Sequence, residues 1–170
     1  PDGASLALLR ITEKGANPVI EVYPTDDLKA VPFRVNADPM EIVEIKWVDD
    51  SNLIFLARQQ VREMIDGFNE GVYEFRIALV DLEARKIHGF NERDPSLVST
   101  LPNKKNKILI SFAEGTNGGV GAKLQEAFRP RAYWEFDLKT GSKKLLIRGK
   151  LLLGNIDFDR DGNPALARGF

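Results

Sequence analysis

The chain has 170 residues, of which 43% are hydrophobic and 29% charged, so it can bury a sizeable core. Its 24 Lys and Arg residues nearly balance its 25 Asp and Glu residues, which argues against a nucleic-acid-binding protein, because such proteins usually present a basic face. The absence of Cys excludes disulfides and zinc-thiolate sites, and no apolar run is long enough to span a membrane.

The first strands that the sequence predicts precede residue 50. Ser5–Ile11 is a largely apolar strand of the buried type, and Val19–Tyr23 follows a turn that contains Gly15. Phe33–Val35 alternates apolar and polar residues and predicts an outer strand. Ile42–Val48 alternates in the same way, as a half-buried strand does.

The middle of the chain interrupts this rhythm once. Leu53–Ala57 is predicted as a strand directly after the turn at Asp49–Asn52. The stretch Arg58–Gly71 then breaks the pattern, and we predict a long loop, or one or two helical turns over Gln59–Asp66. Strand character resumes at Val72–Leu82.

The last third of the chain begins with a strongly predicted strand, Lys107–Ala113. A second insertion, Glu114–Arg131, follows it and is rich in glycine. The remaining predicted strands are Tyr133–Leu138, Lys144–Ile147, Gly154–Phe158 and Pro164–Ala167.

One pattern recurs along the chain: an apolar run, an Asp/Asn/Gly turn, a second apolar run, and an aromatic strand that ends in Asp-Leu. The turns contain Asp2, Asp49, Asn103 and Asp161, which are 47, 54 and 58 residues apart. A repeat of roughly 40–50 residues with four strands is typical of a β-propeller blade. We therefore predict an all-β fold, a partial β-propeller with four-stranded antiparallel blades and turns like those of TolB and WD propellers.

The predicted blades divide the chain into four segments. Residues 1–41 form a first blade that lacks its first strand, 42–94 a second blade, 95–150 a third, and 151–170 the first half of another. In the hairpin after Asp-Leu, Gly141 suits a positive φ, whereas Arg85 occupies the equivalent position and suits it less.

Two segments resemble ligand loops, and we interpret both as structural. Ile108–Lys123 runs from a strand into glycines, but Gly121 is followed by Ala122 and Lys123 rather than by the Gly-Lys-Ser/Thr ending of a P-loop. Asp157–Gly162 matches the first half of a calcium loop, yet the twelfth position is Arg168. The second segment also coincides with the hairpin turn of the repeat.

Other candidate residues also have structural interpretations. His88, the only histidine, follows a hairpin and is predicted to lie at a surface or sheet edge, and no Gly-x-Ser-x-Gly motif accompanies it. Glu70 and Glu74 could bind an amine as a carboxylate pair, but a solvated face explains them. We assign the aromatic residues at repeat positions to blade packing: Trp47, Tyr73, Tyr133, Trp134 and Phe136.

The units that begin at Pro1, Ile45 and Tyr133 resemble the amino-terminal propeller of prolyl oligopeptidase family serine peptidases, in particular bacterial acylaminoacyl peptidase and dipeptidyl peptidase-like members. TolB-like propellers share the same Pro-Asp-Gly and Asp-Leu-x-Thr-Gly turns, and Leu53–Gln60 favours the peptidases. The resemblance implies a parent protein whose separate α/β-hydrolase domain carries Ser, Asp and His. The propeller would then admit short peptides to that domain.

These inferences assign no catalytic, cofactor-binding or metal-binding residue to the chain. We expect it to be a piece of a longer protein, inactive alone, with the hydrolase domain and peptide substrates as the partners of its parent. The alternative is a TolB-like or other propeller that acts as a protein-binding scaffold. The sequence does not distinguish between a periplasmic and a cytoplasmic parent protein. Exposed sheet edges predict self-association of the isolated chain.

Overall fold

The computed structural model describes residues 2–62, 71–92, 94–113, 130–150 and 153–169. These residues are all-β, with thirteen strands and no helix, and therefore contain no helix that is long and apolar enough to cross a membrane. The chain divides into two compact units, Pro1–Asn91 and Glu92–Phe170.

The first unit contains two antiparallel sheets whose neighbouring strands follow one another in the sequence. Sheet 1 consists of β1 (Ser5–Arg10), β2 (Val19–Pro24) and β3 (Phe33–Val35). Sheet 2 consists of β4 (Glu41–Trp47), β5 (Asn52–Arg62), β6 (Val72–Asp81) and β7 (Lys86–Gly89). The predicted outer strand at Phe33–Val35 is confirmed, since β3 is an edge strand of sheet 1.

The second unit has the same consecutive strand order. Sheet 3 consists of β8 (Ser96–Ser99), β9 (Lys107–Ala113), β10 (Arg131–Asp137) and β11 (Lys143–Ile147). Sheet 4 is the hairpin of β12 (Leu153–Phe158) and β13 (Pro164–Gly169).

For Arg58–Arg62, the part of the interrupting stretch that the structure describes before residue 71, both alternatives that the sequence predicts, a long loop and helical turns over Gln59–Asp66, are wrong. Strand β5 continues to Arg62, with Gln59 opposite Glu74 and Gln60 opposite Tyr73 on β6. The Arg58 guanidinium lies 4.9 Å from the centre of the Tyr73 ring. Cross-strand pairing therefore overrides the weak helical preference of this segment. Residues 63–70 lie outside the described residues.

Aspartates close the turns that precede β5 and β13. Asp49 accepts hydrogen bonds at Oδ1 from the backbone N–H groups of Ser51 (2.9 Å) and Asn52 (2.8 Å). Asp159 accepts similar bonds at Oδ1 from the backbone N–H groups of Asp161 (2.9 Å) and Asn163 (2.8 Å). These side chains replace backbone partners in the turn, which explains why the repeat places Asp there.

One backbone hydrogen bond recurs in three sheets and defines equivalent positions in them. Each bond closes a pair of neighbouring strands. The residue that follows the later strand donates its N–H to the carbonyl of the residue that precedes the earlier strand. The bonds are Thr25 N to Ala4 O (3.0 Å), Leu82 N to Ser51 O (2.9 Å) and Leu138 N to Asn106 O (2.9 Å). The strand pairs β1–β2, β5–β6 and β9–β10 are therefore in the same register at this end.

The two faces of sheets 1, 2 and 3 can be named from these equivalent positions. The leading face carries Leu6 in sheet 1, Leu53 in sheet 2 and Ile108 in sheet 3. Each of these is the second residue of its strand. The trailing face is the opposite one. Because side chains alternate along a strand, Ile20 of β2 belongs to the trailing face of sheet 1.

The core of the first unit lies between the trailing face of sheet 1 and the leading face of sheet 2. Its buried members are Ile20, Val22, Val35, Ile42, Leu53, Phe55, Ala57, Ala78 and Val80. Small side chains at Ala57 and Ala78 allow the two sheets to pack closely, and the larger Phe55 side chain fills the space between the sheets. The turns are joined as well, since Asp2 N–H donates to Asp50 Oδ1 at 2.8 Å.

In the second unit, sheet 3 packs on sheet 4 through the side chain of Tyr133. The hydroxyl of Tyr133, on the trailing face of sheet 3, accepts a hydrogen bond from the Ile156 N–H at 3.1 Å. Its ring centre lies 5.1 Å from that of Phe158. The turns are again joined, since Asn103 Nδ2 donates to Asp161 Oδ1 at 2.9 Å. In both units the trailing face of one sheet therefore packs on the next sheet.

The hairpins after Asp-Leu adopt the predicted geometry. Gly141 has φ 70°, as expected, and Arg85 at the equivalent position has φ 52°. The left-handed conformation disfavours a residue with a Cβ. The guanidinium of Arg85 lies 5.7 Å from the centre of the Phe33 ring, a contact that offsets part of this cost.

Strand β1 differs from the buried strand that its apolar sequence predicts. Leu6 is 43% exposed, and Leu9 and Ile11 are also exposed. Leu6 lies on the leading face of sheet 1 beside charged side chains, whereas Leu9 pairs with Ile20 and lies on the trailing face.

Candidate functional site

The leading face of sheet 1 carries a buried carboxylate that is bound by three side chains. Glu21 on β2 is fully buried. Its Oε1 accepts from Arg34 Nε at 2.8 Å, and its Oε2 accepts from the Tyr23 hydroxyl at 2.8 Å and from Arg10 Nη1 at 3.2 Å. We call Arg10, Glu21, Tyr23 and Arg34 the Glu21 cluster.

The Glu21 cluster is positioned by strand register. Glu21 lies opposite Arg34 on β3 and opposite Leu8 on β1, so the side chains of three adjacent strands meet on one face. Arg10 follows Leu8 by two positions and therefore points to the same side. At the positions equivalent to Arg10, Glu21 and Tyr23, sheet 2 carries the apolar residues Ala57, Ala78 and Val80.

The electrostatics of the cluster fix the ionised form of Glu21. The Tyr23 hydroxyl lowers the pKa of the Glu21 carboxyl, the two guanidiniums lower it further, and burial opposes them. A carboxylate with a lowered pKa and three donors is a poor general base. The outer N–H groups of Arg10 and Arg34 remain at the surface, because their side chains are 55% and 59% exposed. The arrangement is suited to binding a partner and not to proton transfer.

Sheet 3 contains a second buried carboxylate. Glu135 on β10 accepts from Lys104 Nζ and Lys107 Nζ, each at 2.7 Å. The hydrogen bond from Lys104, and then that from Lys107, lowers the pKa of the Glu135 carboxyl, and burial opposes this shift. The ammonium groups bind Glu135 beside the turn that precedes β9, so this cluster stabilises the turn.

The calcium-loop motif forms a turn. The Asp159 carboxylate accepts from three donors of the turn itself, the backbone N–H groups of Asp161 and Asn163 and the Asn163 side-chain amide. The backbone hydrogen bond from Asn163 is the main cause that lowers the pKa of Asp159. Within the described ranges, no group of three or more His, Asp or Glu side chains is placed to hold a metal ion.

The other residues that the sequence singled out are not brought together. His88 lies exposed on β7, the edge strand of sheet 2, opposite Leu79 on β6. Glu74 lies on β6 with an ion pair to Arg76 Nη2 at 3.2 Å. Glu70 and the glycine-rich loop from Gly115 to Gly121 lie outside the described residues.

The aromatic residues assigned to packing divide into two groups. Tyr133 and Phe136 are buried, and Trp47 packs against the core of the first unit. Trp134 stacks on Phe112, with ring centres 5.4 Å apart. Tyr73 differs, because it is 40% exposed, on the part of β6 that pairs with the end of β5.

The Glu21 cluster is the feature that sequence reasoning missed. A signal was present, because Glu21 interrupts the apolar series of Val19, Ile20 and Val22 within a short strand. Arg10 and Arg34 gave no such signal, since arginine near a strand end is ordinary at a protein surface. Their common carboxylate becomes visible only when the register of the three strands is known.

Comparisons of the chain with protein-family models, with curated proteins and with solved structures found no match.

Proposed function

We propose that the four sheets are consecutive blades of a β-propeller and that the chain serves as a non-catalytic propeller region of a larger protein. The observation that carries this proposal is the hydrogen bond that recurs at Thr25, Leu82 and Leu138. It gives the strand pairs β1–β2, β5–β6 and β9–β10 one register, as repeats of a single structural unit require. In both units a trailing face packs on the next sheet, which supports the same arrangement.

The parent protein in this proposal is a serine peptidase of the prolyl oligopeptidase family. The support is the sequence resemblance of the repeated units, together with the propeller architecture proposed above. The propeller would limit access of short peptides to an α/β-hydrolase domain of the same parent chain. Catalysis then belongs to that domain, which agrees with the saturated hydrogen bonding of Glu21.

A protein-binding scaffold is the second candidate function. The exposed guanidiniums of Arg10 and Arg34 favour it, because they share a sheet face with the exposed Leu6. Arginine next to apolar surface is a common composition of protein interfaces. In this alternative the chain needs no hydrolase domain.

The test is to sequence the complete reading frame and to express its product. The peptidase proposal expects a downstream Gly-x-Ser-x-Gly motif and covalent labelling of its Ser by a fluorophosphonate probe. The Ser→Ala variant of that motif is the control and should not be labelled. A reading frame without the motif, or a product that is not labelled, would reject the peptidase and favour the scaffold.

A further inference from the structure

The face of sheet 1 that holds the Glu21 cluster is both charged and apolar. Arg10 and Arg34 share one carboxylate, so the cluster keeps a net positive charge, and their side chains are more than half exposed. Leu6 lies on the same face, opposite Tyr23, and is 43% exposed. A face of this kind gains free energy when an apolar surface with a carboxylate covers it.

The trailing face of sheet 4 has the complementary composition. The register pairs Asp157 with Leu166, so the two side chains share a face, opposite to that of Ile156. The Phe158 ring packs on the Tyr133 ring and the Ile156 side chain is buried, so these side chains face sheet 3, and we call the opposite side, which carries Asp157, the trailing face of sheet 4. Asp157 is exposed and Leu166 is 57% exposed.

Both units already use the contact that would join these two surfaces. The trailing face of sheet 1 packs on the leading face of sheet 2, and Tyr133 on the trailing face of sheet 3 packs on sheet 4. We propose that the leading face of sheet 1 binds the trailing face of sheet 4 from a second copy of this chain. Leu166 then packs near Leu6, and Asp157 faces the guanidiniums of Arg10 and Arg34.

The contact is head to tail, so each copy keeps one free face of each kind. Such heterologous contacts produce open chains of molecules, or a ring where the rotation closes. Arg168, two residues after Leu166, brings a positive charge near the same surface and offsets part of the ionic attraction. The apolar pair therefore contributes most of the affinity, and added salt weakens association only moderately.

The experiment measures the mass of the 170-residue chain by sedimentation velocity over a dilution series. The wild type should grow beyond a dimer as its concentration rises. Leu6→Glu blocks the face on sheet 1, and Leu166→Glu blocks the face on sheet 4, so each variant alone should stay monomeric. An equimolar mixture of the two retains one intact face of each kind, and it should form a dimer and stop there.

Val31→Glu is the matched control, because Val31 is almost fully exposed on the loop between β2 and β3. This variant should associate as the wild type does. Far-ultraviolet circular dichroism establishes that each variant is folded, and Asp157→Arg replaces Leu166→Glu if the latter unfolds.

Three results would overturn the proposal. The first is a wild type that stays monomeric at high micromolar concentration. The second is a Leu166→Glu variant that still dimerises alone, which would indicate pairing between two sheet 1 faces. The third is a mixture of the two blocked variants that stays monomeric. None of these results bears on whether the parent is a peptidase.

Discussion

The leading faces of sheets 1 and 2 differ in composition although their strands are equivalent. In sheet 2 the face carries Leu53, Ala57 and Ala78, all buried in the core. At the positions of Ala57 and Ala78, sheet 1 has Arg10 and Glu21. On sheet 1, long side chains that bind one another therefore cover the face. On sheet 2, small side chains at the same positions let another sheet approach.

This difference shows that one backbone register supports two kinds of stabilisation. An apolar face gains free energy from the area that it removes from water. The Glu21 cluster gains from charge-assisted hydrogen bonds, and the cost of burying Glu21 reduces that gain. The first kind should be less sensitive to pH than the second, and substitutions can separate them.

Leu53→Ala should have the largest effect. Leu53 is fully buried in the core between sheets 1 and 2, so truncation leaves a cavity. We expect a loss of about 3 kcal/mol in the free energy of unfolding, measured by urea denaturation. A loss below about 1 kcal/mol would mean that the leading face of sheet 2 is no better packed than that of sheet 1.

Glu21→Gln should have the next largest effect. The substitution keeps the shape of the side chain but leaves two guanidiniums without their anion. We expect the thermal midpoint at pH 7 to fall by roughly 5–10 °C. Glu44→Gln is the control, because its exposed ion pair with Lys46 should contribute little. Equal midpoints for Glu21→Gln and the wild type would show that the cluster does not stabilise the fold.

The advantage of the wild type over Glu21→Gln should depend on pH. Because folding lowers the pKa of Glu21, its contribution is complete above the unfolded-state value of about 4.3 and is lost as the pH falls through the folded-state pKa. The difference between the thermal midpoints of the two proteins, measured from pH 7 down to pH 3, should therefore begin to shrink below the unfolded-state pKa of about 4.3 and continue to shrink toward pH 3. A constant difference over this range would contradict the assignment of an ionised Glu21.

Leu6→Ala should have the smallest effect on the isolated chain at high dilution. Leu6 occupies the position of Leu53 but is 43% exposed, so less apolar area returns to water. We expect a loss below about 1 kcal/mol in the same urea experiment. A loss comparable to that of Leu53→Ala would mean that another surface covers sheet 1 in solution.

Much of the fold follows from short-range patterns in the sequence. The Asp-rich turns and Gly141 made the ends of the neighbouring strands predictable, because their side chains or φ angles close a turn without help from distant residues. Strand β5 beyond Ala57 was not predictable in the same way. Arg58 and Gln59 are polar, and they join the strand because β6 supplies partners for them.

The candidate site was less predictable than the fold. Glu21 is unusual within its strand, but its meaning depends on Arg34, which lies thirteen positions later and on another strand. Burial of a carboxylate is a property of the assembled sheet, and local composition does not report it. For the same reason, the apolar sequence of β1 predicted a buried strand, and the structure leaves Leu6 and Leu9 exposed.

The hydrogen bonds that Leu82 and Leu138 donate to the carbonyls of Ser51 and Asn106 have a consequence for how this chain tolerates change. They set the register of the strands that they join, so a residue inserted beside Ser51 or Asn106 would separate the donor from its acceptor. The turns that precede β5 and β9 are therefore the wrong places to graft a tag, a fluorescent reporter or a binding peptide.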